Sequence, residues 1–430
     1  MNDNNIAEPL SRRKFIELSA LVGATAIIGG SLIGCTGSSA GASGTSAASA
    51  SFDPSDWNAL LEEAKGQTVT FYGYGGEEDR NKWLDTTVAD ALKSKYDITL
   101  ERVPMDINDV LTKLSGEIQA GTQAGSIDFI WINGENFYSC KKNGYLYGPF
   151  TQYLPNYSAY IDTSAAENQY DFGEPIENYE APYGKAQMQM WVDTAKVADM
   201  PADPDAFLEF CKKYPGKVTY PTPGDFTGTA FIECLIAGVV GKDAFEQLAQ
   251  MEADKEKVRA IIEPGLTYLK SLNPYLWQAG KTFPADHSTL SQMFADGELI
   301  MDMGYGSPDS DIEDGIIPNT VRSFLLDTGT VGNENFMAIA KNASHKAAAM
   351  VAINEIMSPE LQLSIYDTLG VISVLDTDKL SAAQKQSFAA VKTGVAALPA
   401  DELLAHRIAE ASGAVVPLIE ALWTEEVVGK

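Results

Sequence analysis

Tyr179-Glu180-Ala181-Pro182-Tyr183-Gly184-Lys185-Ala186-Gln187-Met188-Gln189-Met190-Trp191-Val192-Asp193 is an extended segment too long to serve one small loop. On its N-terminal side, strands alternate with helices. Thr68-Val69-Thr70-Phe71-Tyr72 is a short β-branched and aromatic run, ended by Gly73-Tyr74-Gly75-Gly76. Residues 77–95 read as a helix with Trp83, Val88 and Leu92 on one face. A strand over 98–103, a helix over 110–120 and a strand over 127–132 follow, the last stopped by Asn133-Gly134. On the C-terminal side come Pro201 and Pro204, a helix to Tyr214, a strand over 217–220 and a helix from about Thr229. Strands separated by helical stretches argue for an α/β chain with a parallel, doubly wound sheet.

Bulk properties narrow the function. The 430 residues, 45% hydrophobic and 21% charged, suffice for two domains. No apolar run in the body reaches the ~18 residues of a membrane span. The formal net charge of −28 comes from 59 acidic and 31 basic residues. Such a surface repels nucleic acid, which is set aside as a partner, and it also serves plain solubility. Cys35, Cys140, Cys211 and Cys234 have no metal-ligand spacing. Cys211 and Cys234 are expected as buried thiols, with a bridge left open. The three histidines, His287, His345 and His406, lack the spacing of zinc ligands. No metal or other cofactor is expected.

The first fifty residues read as an address. Ser11-Arg12-Arg13-Lys14-Phe15-Ile16 precedes a modestly apolar stretch from Leu18 to Ile33, too short and interrupted for a permanent span. Arg12 and Arg13 resemble a twin-arginine export signal. Leu32-Ile33-Gly34-Cys35 resembles the lipobox of bacterial lipoproteins, which implies cleavage before Cys35 and a diacylglycerol on its sulfur. Thr36 to Ser51, almost entirely Gly, Ser, Ala and Thr, reads as a flexible tether. Gly37-Ser38-Ser39-Ala40-Gly41 has the spacing of a hydrolase nucleophile elbow, but a tether supplies no strained strand-to-helix turn.

The order of elements carries a resemblance. The extended segment running into Val192-Asp193-Thr194-Ala195-Lys196-Val197, then a Pro-bounded helix and Val218-Thr219-Tyr220-Pro221, resembles the lobe crossover of family 1 extracellular solute-binding proteins. Phe294-Ala295-Asp296-Gly297-Glu298 is similar to their strand entry, and residues 335–343 to the strand before their Ala-rich helix at 345–357. Ser358-Pro359-Glu360 and Leu369-Gly370-Val371-Ile372 look like the following helix start and turn. The iron, thiamine and polyamine importer branch is most similar, with a subgroup marked by the runs 133–137, 148–150 and 220–228.

The resemblance implies a periplasmic-binding-protein-like type II fold: two α/β lobes joined by crossing strands, with the ligand in the cleft and closure by hinge motion. Its boundaries are an export signal at 1–34, a tether at 35–51, a first lobe at 52–185 and a second at 186–321. A return to the first lobe covers 322–345, and helices packing on the lobes cover 346–430. It also implies a monomer that binds a small molecule and serves an ABC permease with a cytoplasmic ATPase. The membrane is touched through the lipid anchor alone, on the extracytoplasmic face.

Four turns are candidate ligand contacts, since ligands in open α/β sheets sit at the carboxyl ends of strands. The first holds Tyr72, Tyr74 and Glu77; Glu77, Glu78 and Asp79 equally compensate a helix dipole and would repel an anion. The second is Asn133-Gly134-Glu135, where Asn133 or Glu135 meets a ligand or the turn caps a helix. The third is Tyr220, Asp225 and Thr227, which also suit a turn and cap. The fourth is Tyr305, where the family often has an aromatic platform. Trp131, Trp191 and Trp277 are expected in the core. Adjacent tyrosines, used by many ferric-binding relatives, are absent.

Aromatic faces with carboxylates suit a cation through ion pairing and cation–π attraction. A thiamine- or polyamine-like solute is therefore expected first and a neutral sugar second, bound without a chemical step. The alternatives are a lipid-anchored carbohydrate hydrolase, or a sensory or adhesion ectodomain on the same fold.

Overall fold

The computed structural model describes residues 53–429. Arg12, Arg13 and Cys35, on which the export and lipidation expectations rest, lie outside them.

The β-branched run becomes β1 (Thr68–Gly73). It lies parallel to β2 (Thr99–Pro104) on one side and β3 (Phe129–Ile132) on the other. The helix between β1 and β2 runs from Glu78 through a wider turn at Leu84–Val88 to Tyr96. Trp83, Leu84, Val88 and Leu92 form its buried face. Asp97 stops it in the left-handed region and takes a bond from Lys93.

Beyond β3 the sheet becomes mixed. Short strands β4 (Leu146–Tyr147), β5 (Tyr170–Asp171) and β6 (Glu174–Pro175) precede β7 (Glu180–Asp193), a 14-residue strand that takes up the extended segment expected over 179–193. After it come β8 (Met301–Tyr305), β9 (Val321–Phe324), β10 (Thr330–Ala340) and β11 (Arg407–Ala409). The main sheet runs β2-β1-β3-β10-β7-β8, with β4 and β11 on β10 and β9 on β7. β10 is antiparallel to both β3 and β7. The fold is thus α/β with a mixed sheet, not an all-parallel one.

β7 and β10 join two lobes. From Glu180 to Gln187, β7 pairs with β10; from Met188 onward it pairs with β8, and from Met190 with β9. The first lobe is built on β1–β3, and the helix Lys346–Ile356, ten of whose residues are buried, packs against it. In the second lobe, Met188, Met190 and Val192 meet the helices Phe226–Val240 and Lys255–Leu272, together with Ile419, Leu422 and Trp423 of a C-terminal helix.

One local expectation changes, and the expected buried thiols are found. Residues 217–220 form no strand: Val218, Thr219 and Tyr220 are buried, but Lys217 and Val218 accept bonds from Ile300 and Trp277 in neighbouring loops. Burial was legible there; a strand partner was not. Cys140, Cys211 and Cys234 are buried free thiols, and Cys234 Sγ accepts the Val331 N–H at 3.3 Å. No helix among the described residues is long and apolar enough to cross a membrane.

Candidate ligand-binding site

A cavity of about 510 Å³ lies against the crossing strands. β7 contributes Lys185 to its wall, β10 contributes Asn333, Glu334 and Phe336, and β11 with the following residue contributes Arg407 and Glu410. The β5–β6 hairpin adds Tyr170, Asp171, Phe172 and Gly173, with Glu167 just before it, and Ala249 and Gln250 come from the second lobe. The wall therefore carries four carboxylates (Glu167, Asp171, Glu334, Glu410) and two cations (Lys185, Arg407), beside three aromatic rings.

Both cations pair with one carboxylate, although Arg407 Nη1 makes no hydrogen bond. Lys185 Nζ contacts Glu167 closely, and Arg407 Nη1 stands 3.0 Å from the same carboxylate. Lys185 also stands 3.5 Å from Glu334 Oε1, too far for a well-formed bond, and neither Glu334 oxygen accepts a hydrogen bond. Glu410 Oε1 accepts from the Tyr305 hydroxyl at 2.5 Å and from Asn333 Nδ2 at 2.8 Å. Asp171 Oδ2 accepts the Gly134 N–H at 2.6 Å, while Asp171 Oδ1 and Asn333 Oδ1 have no donor. Burial pushes both Glu334 and Glu410 up to about 7, against the pull of Lys185 on the first and of Tyr305 and Asn333 on the second. Asp171 is raised well above the usual range by burial and then by Glu410 and Glu334.

The candidate residues divide. Tyr305, at the end of β8, joins the cavity network through Glu410, and its ring lies 4.9 Å from that of Phe226. Phe226 in turn approaches Phe172 of the cavity wall at 6.4 Å. Asn133 precedes the helix Gly134–Lys142 and donates to Asn335 Oδ1 at 3.3 Å, beside the Trp131 indole. Glu135 sits in the first turn of that helix, where its backbone faces Gly413. Asp225 is a tie between helices: Oδ1 caps Phe226–Val240 through the Gly228 N–H, and Oδ2 takes the His287 N–H. Thr227 is buried in the first turn of that helix.

Tyr220 must be corrected outright. It is 1% exposed, packed on Phe231, Phe283 and Trp423, and its hydroxyl accepts the Trp423 indole N–H at 3.1 Å. Tyr72 is likewise buried. Tyr74 is half exposed beside Arg80, Trp131 and Tyr183, where the hollow of about 10 Å³ barely takes one water. Glu77 is half exposed, and one of its oxygens is held by Arg80 Nε at 2.7 Å while Arg80 stacks 5.1 Å above Trp131. The first turn thus carries its own cation, which the sequence reading overlooked.

The residues around the cavity were mostly missed. Lys185, Asp171, Phe172, Glu334, Arg407 and Glu410 sit in no motif. One signal existed: Asn333-Glu334-Asn335 are three successive polar residues inside a strand that is buried along its whole length. Inside the second lobe, Ser291 and Asp302 both face Nε2 of His287, at 3.2 and 3.9 Å. A hydrolytic triad needs nucleophile and orienting acid on opposite ring nitrogens of the histidine base. No group of His, Cys, Asp and Glu among the described residues is arranged to hold a metal.

A family model for bacterial extracellular solute-binding proteins matches residues 87–392. The chain belongs to this family. The Escherichia coli (strain K12) protein YnjB is 37% identical over 339 residues, which is 77% of this chain and 86% of YnjB. Among solved structures, the spermidine/putrescine ABC transporter substrate-binding protein PotD from Streptococcus pneumoniae superposes with a TM-score of 0.58 at 13% identity, over 83% of this chain and 99% of that one. The periplasmic binding protein AfuA from Actinobacillus pleuropneumoniae, with fructose-6-phosphate bound, gives 0.55 at 15% identity, over 84% and 98%. One fold thus serves an amine carrier and a sugar-phosphate carrier, so the ligand of this solute-binding protein has to be argued from its own cavity.

Proposed function

We propose that this solute-binding protein captures an organic cation bearing N–H donors and delivers it to an ABC permease with a cytoplasmic ATPase. One observation carries the reading: Asp171 Oδ1, Asn333 Oδ1 and both Glu334 oxygens are buried acceptors without donors on one cavity wall. A buried unpaired polar group costs ~1–3 kcal/mol, so a ligand that donates to it recovers that cost on binding. A phosphate or carboxylate could accept from the unbonded Arg407 Nη1, but it would leave these four oxygens without donors and add negative charge beside four carboxylates. A neutral sugar donates but leaves the surplus carboxylates uncompensated. Polyamine-like and thiamine-like cations satisfy both demands, and Tyr170, Phe172 and Phe336 offer faces for their carbon skeletons. Export through Arg12 and Arg13 and anchoring through Cys35 would keep the lobes at the outer face of the membrane, tethered by residues 36–51.

The test is a thermal-shift screen of the full chain in detergent with putrescine, spermidine, thiamine, choline, glucose and phosphate, followed by calorimetry. Amines with N–H groups should stabilise by about 2.7 kcal/mol at 100 times their dissociation constant. A shift with glucose or phosphate alone would refute the cation reading and leave the family function standing.

A further inference from the structure

We infer that Lys185 is a tethered rival of the ligand's ammonium group, and that Glu334 is the carboxylate for which they compete. The inference rests on the cation reading of the cavity. Lys185 and Glu334 are directly opposite in the β7–β10 register, so the sheet fixes their backbones side by side. Both line the cavity. Yet the Lys185 ammonium leans towards Glu167 and leaves Glu334 at 3.5 Å. Glu167 is then served twice, by Lys185 and by Arg407, while Glu334 holds part of one cation and no hydrogen bond. The Glu334 side chain has no solvent exposure in compensation.

A lysine is a compact charge on a flexible four-carbon stem. It can yield Glu334 to an incoming ammonium and still keep Glu167. The ligand's N–H donors then reach the two oxygens that Lys185 serves poorly, and Asp171 and Glu410 balance the added charge. With the cavity empty, Lys185 prevents Glu334 from standing as an uncompensated buried charge, which would be strongly destabilising. Lys185 therefore sets a threshold: a cation enters only if it satisfies Glu334 better than the protein's own lysine does. A cation without N–H groups does not pass it.

The experiment is calorimetric titration of the full chain in detergent with putrescine, and with tetramethylammonium as the cation lacking donors. Lys185→Gln is expected to tighten putrescine at least tenfold and to allow tetramethylammonium to bind. Arg407→Gln removes the same charge from the wall, but its ion pair is with Glu167 and not with Glu334, so its gain should be smaller than that of Lys185→Gln. In a Glu334→Gln background, Lys185→Gln should bring no gain. If Lys185→Gln does not fold, Glu167→Gln serves instead. It hands the whole lysine to Glu334 and should weaken putrescine severalfold. Weaker binding in Lys185→Gln, an equal gain in Arg407→Gln, a gain that survives Glu334→Gln, or no effect of Glu167→Gln overturns the role of Lys185 while the cation reading stands. If neither wild type nor any variant binds an amine, the cation reading falls and takes this inference with it.

Discussion

Glu410 shows how one side chain can couple ligand and proton. Its carboxyl is raised to about 7 chiefly by burial, and the Tyr305 and Asn333 donors hold it from going higher. Below that pH the free protein carries a proton there, and an arriving cation favours the ionised form. Amine binding should therefore release protons and tighten as pH rises through 7. Tyr305→Phe removes the largest lowering influence, so the midpoint of affinity against pH should move upward. Titrations from pH 5.5 to 8.5 in buffers of different ionisation enthalpy would measure both effects; an unmoved midpoint would disconnect Glu410 from binding. At the other end of the chain, the proposed anchor predicts that Cys35→Ser releases the protein from the membrane fraction, since acyl chains on that sulfur would supply its affinity for the bilayer. A variant that still needs detergent for extraction would refute the anchor.

Among the elements, the β5–β6 hairpin brings the first lobe's contribution up to the second. Gly173 in its turn has φ +79°, and a Cβ there would lie 1.9 Å from the Ala249 carbonyl oxygen. Left-handed backbone costs a residue other than glycine ~1–2 kcal/mol, and the clash falls on backbone that has no other rotamer. Gly173→Ala should thus lower the urea midpoint by more than that strain alone and weaken amine binding, since the wall of the cavity must move. Equal affinity in the variant would place the ligand elsewhere. The cap at Asp225 predicts the opposite division. Asp225→Ala should cost about 1 kcal/mol of stability and leave amine affinity within twofold, because both carboxylate oxygens already hold helix N-termini. A large loss of affinity would return Asp225 to the site.

For the whole molecule, the buried carboxyls set the pH dependence of stability. Glu334 and Glu410 are raised to about 7, and Asp171, Glu180 and Glu233 well above the usual range, in each case mainly by burial. Between the unfolded pKa near ~4.3 and the raised folded values, the folded chain holds protons that the unfolded chain has lost. Stability is then greatest near the lower end of that window and declines as pH rises through 7. The ligand-free protein should accordingly melt at a higher temperature at pH 5 than at pH 8, and saturating amine should narrow the gap. Calorimetry at the two pH values decides this, and a higher melting temperature at pH 8 would show that the carboxyls are ionised when buried. The lobes also touch through the Ser310 hydroxyl, which donates to Asp79 Oδ2 at 3.1 Å, and through Phe172 on Phe226. If these contacts belong to the closed form, ligand should reduce the radius of gyration in solution scattering.

The residues alone determined the class of the molecule. Alternating strands and helices gave α/β, and the long extended segment at 179–193 became the crossing strand, because periodicity and β-propensity are properties of neighbours in sequence. They also located several helix starts: Asp225 and Ser358 cap helices as their residue types suggest. The mixed sheet was not legible, since the pairing of β10 with β3 joins segments about 200 residues apart. The proposed site was legible only at its edge, in Tyr305, which reaches the cavity through Glu410. Its centre depends on Lys185 facing Glu334 across a register, on Arg407 arriving late in the chain to meet Glu167, and on Glu410 meeting Tyr305. Tyr220 and Tyr305 look alike in sequence, each ending an apolar run. Only the fold buries one on Phe231 and Trp423 and points the other at a carboxylate, because burial and charge compensation depend on what tertiary contacts bring together.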